Sequence, residues 1–164
     1  MSEYPNEPRL IVDPCVIVPE DLLKPSVCEP QAAQALQSMA RTEDIRFSKD
    51  GKMLAVLGFA KQSIAMFEID WTNDQACKGM RIKRHVSIVS DSFVNPHGID
   101  FIYDKRFVVA SRSGGAEVYE LPTNVPWGNT MPLMPTAVID KISEDDAVHT
   151  PGSVAVIPEE GGSV

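Results

Sequence analysis

Asp44-Ile45-Arg46-Phe47-Ser48-Lys49-Asp50-Gly51-Lys52-Met53-Leu54-Ala55-Val56 and Gly98-Ile99-Asp100-Phe101-Ile102-Tyr103-Asp104-Lys105-Arg106-Phe107-Val108-Val109-Ala110 decide the fold. Set one above the other, 54 residues apart, they are identical at Ile45/Ile99, Phe47/Phe101 and Asp50/Asp104. Lys52/Arg106, Met53/Phe107 and Leu54/Val108 are alike in kind. Met66-Phe67-Glu68-Ile69 then falls over Val118-Tyr119-Glu120-Leu121 at an offset of 52. The two-residue slip is assigned to a turn between strands, where changes of length are tolerated. A third copy opens at Thr150-Pro151-Gly152-Ser153-Val154-Ala155-Val156-Ile157, which echoes Asn95-Pro96-His97-Gly98-Ile99-Asp100-Phe101-Ile102 at an offset of 55. Pro158-Glu159-Glu160-Gly161-Gly162 then stands in place of Ser48-Lys49-Asp50-Gly51-Lys52.

Each unit reads as strands. Ile45 and Phe47 alternate with polar neighbours, the period of a half-buried strand. Asp50-Gly51 is a hairpin turn, because glycine takes positive φ without steric cost. Met53 to Gly58 is a short unbroken apolar run, as in a strand buried on both faces. Lys61-Gln62 and Gly114-Gly115 mark the next turns, and Ser63 to Ile69 and Ala116 to Leu121 the third strands. Met80 to Val89 and Thr136 to Ile142 supply fourth strands. The predicted fold is therefore all-β. Four antiparallel strands per roughly 54 residues is the layout of a β-propeller blade, slightly longer than the common ~40–50. Two complete blades (44–95 and 96–149) and the start of a third (150–164) follow an N-terminal extension, 1–43.

The extension carries Pro5, Pro8, Pro14, Pro19, Pro25 and Pro30, with short apolar runs at Leu10 to Val12 and Cys15 to Val18. Gln31 to Arg41 is its helix candidate: Pro30 suits a first turn, and Ala32, Leu36 and Met39 share one face. The expected role is a short helix plugging one end of the propeller, with partner binding as the alternative. No terminal cap is evident. A propeller closes with about four to eight blades, so three arrangements are open. The chain is a piece of a longer propeller, or copies of it close a ring, or the extension supplies missing strands.

The stretches "IRFSKDGKMLAVLGFAKQSIAMFEID" and "PHGIDFIYDKRFVVASRSGGAEVYELP" resemble the NHL, YncE and lactonase-like group of β-propellers over residues 43–164. Blades of that group open with a Gly-Ile/Leu-x-Phe strand, turn at Asp-Gly, and end a later strand in tyrosine or phenylalanine. The resemblance implies architecture more than activity, since such blades serve enzymes and scaffolds alike. Metal-dependent lactonases of this type set Glu, Asn and Asp at the channel mouth. Here His97 stands at the Asn position and Ser111 at the Asp position, and the first blade offers Leu57 and Gly58. A hard cation needs carboxylate oxygens, so no metal is expected. The metal-free enzymes use His and Arg, roles open to His97 with Arg112 or Arg46.

Composition bounds the rest. The chain has 164 residues, with 15 Lys+Arg against 23 Asp+Glu and a net charge of −8, which disfavours nucleic acid. No apolar run approaches the ~18 residues of a membrane span. The start, Met-Ser-Glu-Tyr-Pro-Asn-Glu-Pro, has neither a basic nor an apolar leader region. Cys15, Cys28 and Cys77 form no Cys-x-x-Cys pair, and His85, His97 and His149 are isolated, so a structural zinc site is not expected. Three reduced thiols in a cytoplasmic protein is the plain reading. A Cys15–Cys28 disulfide in an exported chain is the alternative.

The candidate catalytic residues are His97, just before the innermost strand of the second blade, with Asp44 and Asp100 nearby. The plainer account of His97 is a solvated Pro-His-Gly turn. Lys78, Arg81, Lys83, Arg84 and His85 read either as charges guarding an outer edge strand or as an anion patch. The loop from Pro122 to Pro135 offers Trp127, Met131 and Met134 as partner contacts, unless Trp127 folds back on the blade edge. Glu144-Asp145-Asp146 reads as a solvated turn, and no stretch has the spacing of a phosphate or dinucleotide loop, so no cofactor is expected. The expected function is a ligand- or protein-binding scaffold. The alternative is the N-terminal part of a lactonase-like hydrolase.

Overall fold

The computed structural model describes residues 27–74, 77–141, 143–144, 146–149 and 151–157. The elements are β1 (Val27–Cys28), α1 (Pro30–Ser38), β2 (Thr42–Phe47), β3 (Met53–Gly58), β4 (Ser63–Asp74), β5 (Cys77–Val89), β6 (Pro96–Phe101), β7 (Arg106–Ser111), β8 (Ala116–Glu120), β9 (Thr130–Pro132) and β10 (Ala137–Ile139). They form two sheets. In the first, β2 to β5 are a consecutive antiparallel series, and β1 and β9 pair in parallel with the outer edge of β5. The second is antiparallel in the order β10-β8-β7-β6. The chain is thus mostly β with one short helix. The two sheets meet at β2 and β6, an edge strand of each, which lie against each other.

The turns form for local reasons. Gly51 sits at φ +70, and Ser48 closes the hairpin. Its hydroxyl accepts from the Met53 amide at 2.9 Å and donates to Asp50 Oδ1 at 2.7 Å. Gly115 lies after the β7–β8 turn where β10 passes so closely that a Cβ would meet the Ile139 carbonyl at 2.1 Å. Sequence spacing set Met53 against Phe107 and Leu54 against Val108, and strand register corrects this. Phe47, Leu54 and Phe67 form one rung of the first sheet; Phe101, Phe107 and Tyr119 form the corresponding rung of the second. The β6–β7 hairpin is one residue shorter than β2–β3, so the slip is shared between two turns.

Rungs alternate between faces. One face of the first sheet (Leu57, Ile64, Met66, Val86 and Ile88) packs with Ile99, Phe101, Phe107, Val109 and Tyr119 of the second, and with Phe93 of the β5–β6 loop, in one continuous core. The other face, with Leu54, Val56, Phe67, Ile69 and Ile82, packs under Ala32 and Met39. The helix therefore lies on a sheet face, as a cover that composition did not reveal, and it ends at Ser38, before the expected Arg41. A bulge opposite Glu68 lets β5 present Ile82 to one core and Val86 to the other. The outer edge of β5 carries β1 and β9 and is not bare. β10 spans three residues, against the longer strand expected from Thr136 to Ile142. No helix among the described residues is long and apolar enough to cross a membrane.

Candidate functional site

β2 and β6 each begin with a bulge. Thr42 pairs with Gly58 and Asp44 with Leu57, leaving Glu43 extra; Pro96 pairs with Ser111 and Gly98 with Ala110, leaving His97 extra. A bulge re-aims one side chain out of the sheet alternation. Here it does so at positions 54 residues apart, and the two side chains meet. His97 Nε2 lies 2.9 Å from Glu43 Oε2 and 2.6 Å from Arg112 Nη2. His97 Nδ1 lies 2.5 Å from the Gly152 carbonyl. Arg112 is held just past β7 by its amide, which donates to the Asn95 carbonyl at 3.0 Å. The Arg41 guanidinium pairs with Glu43 Oε1. His97 is therefore not a solvated turn residue.

The ring nitrogens have fixed duties. A carbonyl only accepts, so Nδ1 carries the proton toward Gly152. In the neutral ring, Nε2 is then an acceptor and takes a proton bond from Arg112. In the charged ring, Nε2–H donates to Glu43. Arg112, a donor, and Glu43, an acceptor, therefore both face the one atom Nε2.

Asp44 and Asp100 do something else. Asp44 Oδ1 accepts from the Ile45 amide at 2.8 Å, and its Oδ2 from the Ile99 amide of β6 at 3.1 Å. Asp100 repeats this: Oδ1 accepts from the Phe101 amide at 2.8 Å and Oδ2 from the Val156 amide at 2.6 Å. Arg46 also donates to Asp44 Oδ1, at 2.7 Å. Asp44 thus fastens β2 to β6, and Asp100 fastens β6 to residues 151–157. Asp104, in the β6–β7 turn, accepts from the Asp50 amide at 2.8 Å and ties the strands at their other end.

Sequence reasoning singled out His97, Arg112 and the two aspartates but missed Glu43, which it left in the extension. The signal was present: Glu43 precedes His97 by the repeat offset. Of the proposed contact residues, Met131 is buried in the core between the sheets, Trp127 packs partly against it, and Met134 is 85% exposed. Two members of the basic cluster, Lys83 and Arg84, are engaged. Arg84 grips Glu68 through two bonds of 2.7 and 2.8 Å and lies over the Trp127 ring at 5.3 Å. The Arg84 hydrogen bond holds the Glu68 carboxyl below the usual range. Lys83 lies 3.8 Å from the same carboxylate. A cleft of about 500 Å3 lined by Glu29, Pro30, Gln31, Lys83 and Arg84 therefore offers no free cation. Cys28 packs under α1 with its thiol pushed up by burial and by Glu29; Cys15 lies outside the described residues.

Ser111, at the position where the resemblance places an Asp, donates to buried Glu117 at 3.2 Å. Burial pushes the Glu117 carboxyl up, against a smaller opposing effect of that bond. The folded chain then holds this proton more tightly than the unfolded chain. Ionised Glu117 costs stability above its folded titration range, and the cost is relieved as pH falls toward the ordinary glutamate range. Glu117→Gln is expected to raise the melting temperature at pH 7 by roughly 1–3 °C and to shrink that gain in acid. Thermal melts of both proteins at the two pH values check it; an unchanged or lower melting temperature at pH 7 contradicts it.

Among the described residues no group of three His, Cys, Asp or Glu side chains is placed to hold a metal ion. No family model, curated protein or solved structure matches the chain.

Proposed function

We propose that the two sheets are blades of a propeller of the NHL, YncE and lactonase-like group, and that the chain serves as a binding scaffold for a ligand or protein. The observation carrying this reading is the use made of Asp44 and Asp100. Both carboxylates are spent on main-chain amides, Asp44 on that of Ile99 in β6 and Asp100 on that of Val156, which makes them fasteners and leaves them poor bases or nucleophiles. Adjacent inner strands and a core shared between sheets support the propeller reading. The end bearing Glu43, His97 and Arg112 is the face offered to a ligand, since bulged strand ends and loops carry function on rigid sheets.

One observation favours a second reading, the opening part of a lactonase-like hydrolase. Arg112 Nη2 at 2.6 Å from His97 Nε2 sets side by side the His and Arg that the metal-free enzymes of the group use. Turnover of lactones and aryl esters by the wild type and His97→Ala separates the two. The scaffold reading expects both at the buffer rate. Saturable turnover that His97→Ala lowers by about 100-fold or more, the usual scale of a lost general base, would contradict it.

A further inference from the structure

Corresponding residues of the two sheets differ in cover. Ile99 and Phe101 on β6 are fully buried in the core between the sheets. Ile45 and Phe47, in the same rungs of β2, are 54% and 43% exposed. Trp71, 5.8 Å from the Phe47 ring, is 55% exposed. α1 packs on this face with Phe67, Ile69 and Ile82 of the outer strands and leaves Ile45 and Phe47 open. At the opposite end of the molecule the pattern is reversed. On the far face of the second sheet, Gly98 of β6 lies under residues 151–157, where a Cβ would come within 2.8 Å of Ser153 Cα. The outer strand there is open, with Ile139 of β10 48% exposed. One end is open at its inner strand and covered outside; the other is covered at its inner strand and open outside.

We propose that these ends are the two halves of one interface, joining copies of this chain head to tail. β2 of one copy lies on residues 151–157 of the next, and α1 covers the corner of β10 around Ile139. This rests on the proposed reading of the sheets as stacked units, because the contact repeats the β2–β6 junction one step further. The helix suits the role: Pro30–Ser38 contains no charged residue, and interface centres are depleted of charge. Exposed apolar patches at both ends need a cover of this kind. The two surfaces differ, so the contact is heterologous and continues until a ring closes.

Sedimentation equilibrium over a series up to about 100 µM detects contacts of micromolar strength. The wild-type mass is expected to rise above one chain. Phe47→Asp and Ile139→Lys each spoil one end, so each alone stays monomeric. Mixed one to one they form a dimer and nothing larger, since one intact junction remains between them. A monomeric wild type, a variant that still associates like the wild type, or a mixture that stays monomeric overturns the interface. Contacts between the sheets, read in the same samples by NOEs, keep the two ideas apart. If they persist in a monomeric wild type, the interface alone falls; if they are missing, the stacked reading falls too.

Discussion

Phe107→Ala is expected to destabilise the chain by about 3–5 kcal/mol, the range for deleting a buried phenylalanine. Phe107 is fully buried at the middle of the second sheet. Its ring stacks on Tyr119 at 5.6 Å and meets Phe101 at 6.0 Å. Tyr119 in turn meets Phe93 edge-on at 5.2 Å. The cavity would open inside the core that joins the two sheets, where neither sheet can relax without parting from the other. Domains have roughly 5–15 kcal/mol in total, so the variant should populate the unfolded state at modest urea. Phe107→Leu keeps most of the volume and should lose clearly less. Urea denaturation of the three proteins checks this. Near-equal stability of wild type and Phe107→Ala would show that the sheets do not share this core.

Asp44→Ala should cost about 1–3 kcal/mol, the penalty for leaving a buried amide without its acceptor, and Asp100→Ala less, about 0.5–1.5 kcal/mol, because the Val156 amide is only partly buried. The Ile99 amide depends on Asp44, and Ile99 is fully buried. The Val156 amide depends on Asp100. Asn at either position keeps one acceptor oxygen and should lose less. The two variants also differ in place. Asp44→Ala should speed hydrogen exchange at Ile99 and along β6, whereas Asp100→Ala should free residues 151–157 with little change in the first sheet. If instead either aspartate is a catalytic group with no fastening role, exchange at these amides will not respond.

Much of this architecture was legible because it is set locally. Ile45 and Phe47 alternate, and Asp50-Gly51 can only turn, so the β2–β3 hairpin follows from neighbours in sequence. Register was less legible. The β6–β7 turn is one residue shorter, and residue likeness matched Met53 to Phe107 when the pleat matches Leu54 to it. A one-residue shift exchanges faces, so only cross-strand pairing decides it. The site was half visible. His97 and Arg112 are chemically conspicuous, but Glu43 becomes their partner only through a bulge, which has no residue signature of its own. The aspartates looked reactive because a sequence does not show which amides their oxygens meet. Nor did the loop from Pro122 to Pro135 show its destination: Thr130–Pro132 joins β5 as a short parallel strand and draws Met131 inside.

Two separate sheets press together with β2 and β6 side by side. A methyl–aromatic NOE spectrum of the wild-type chain tests this arrangement most directly. Leu57, Ile64 and Ile88 methyls of the first sheet should show cross-peaks to Phe101, Phe107 and Tyr119 rings of the second, whose members share one core. Cross-peaks confined within each sheet, with none between these groups, would contradict it.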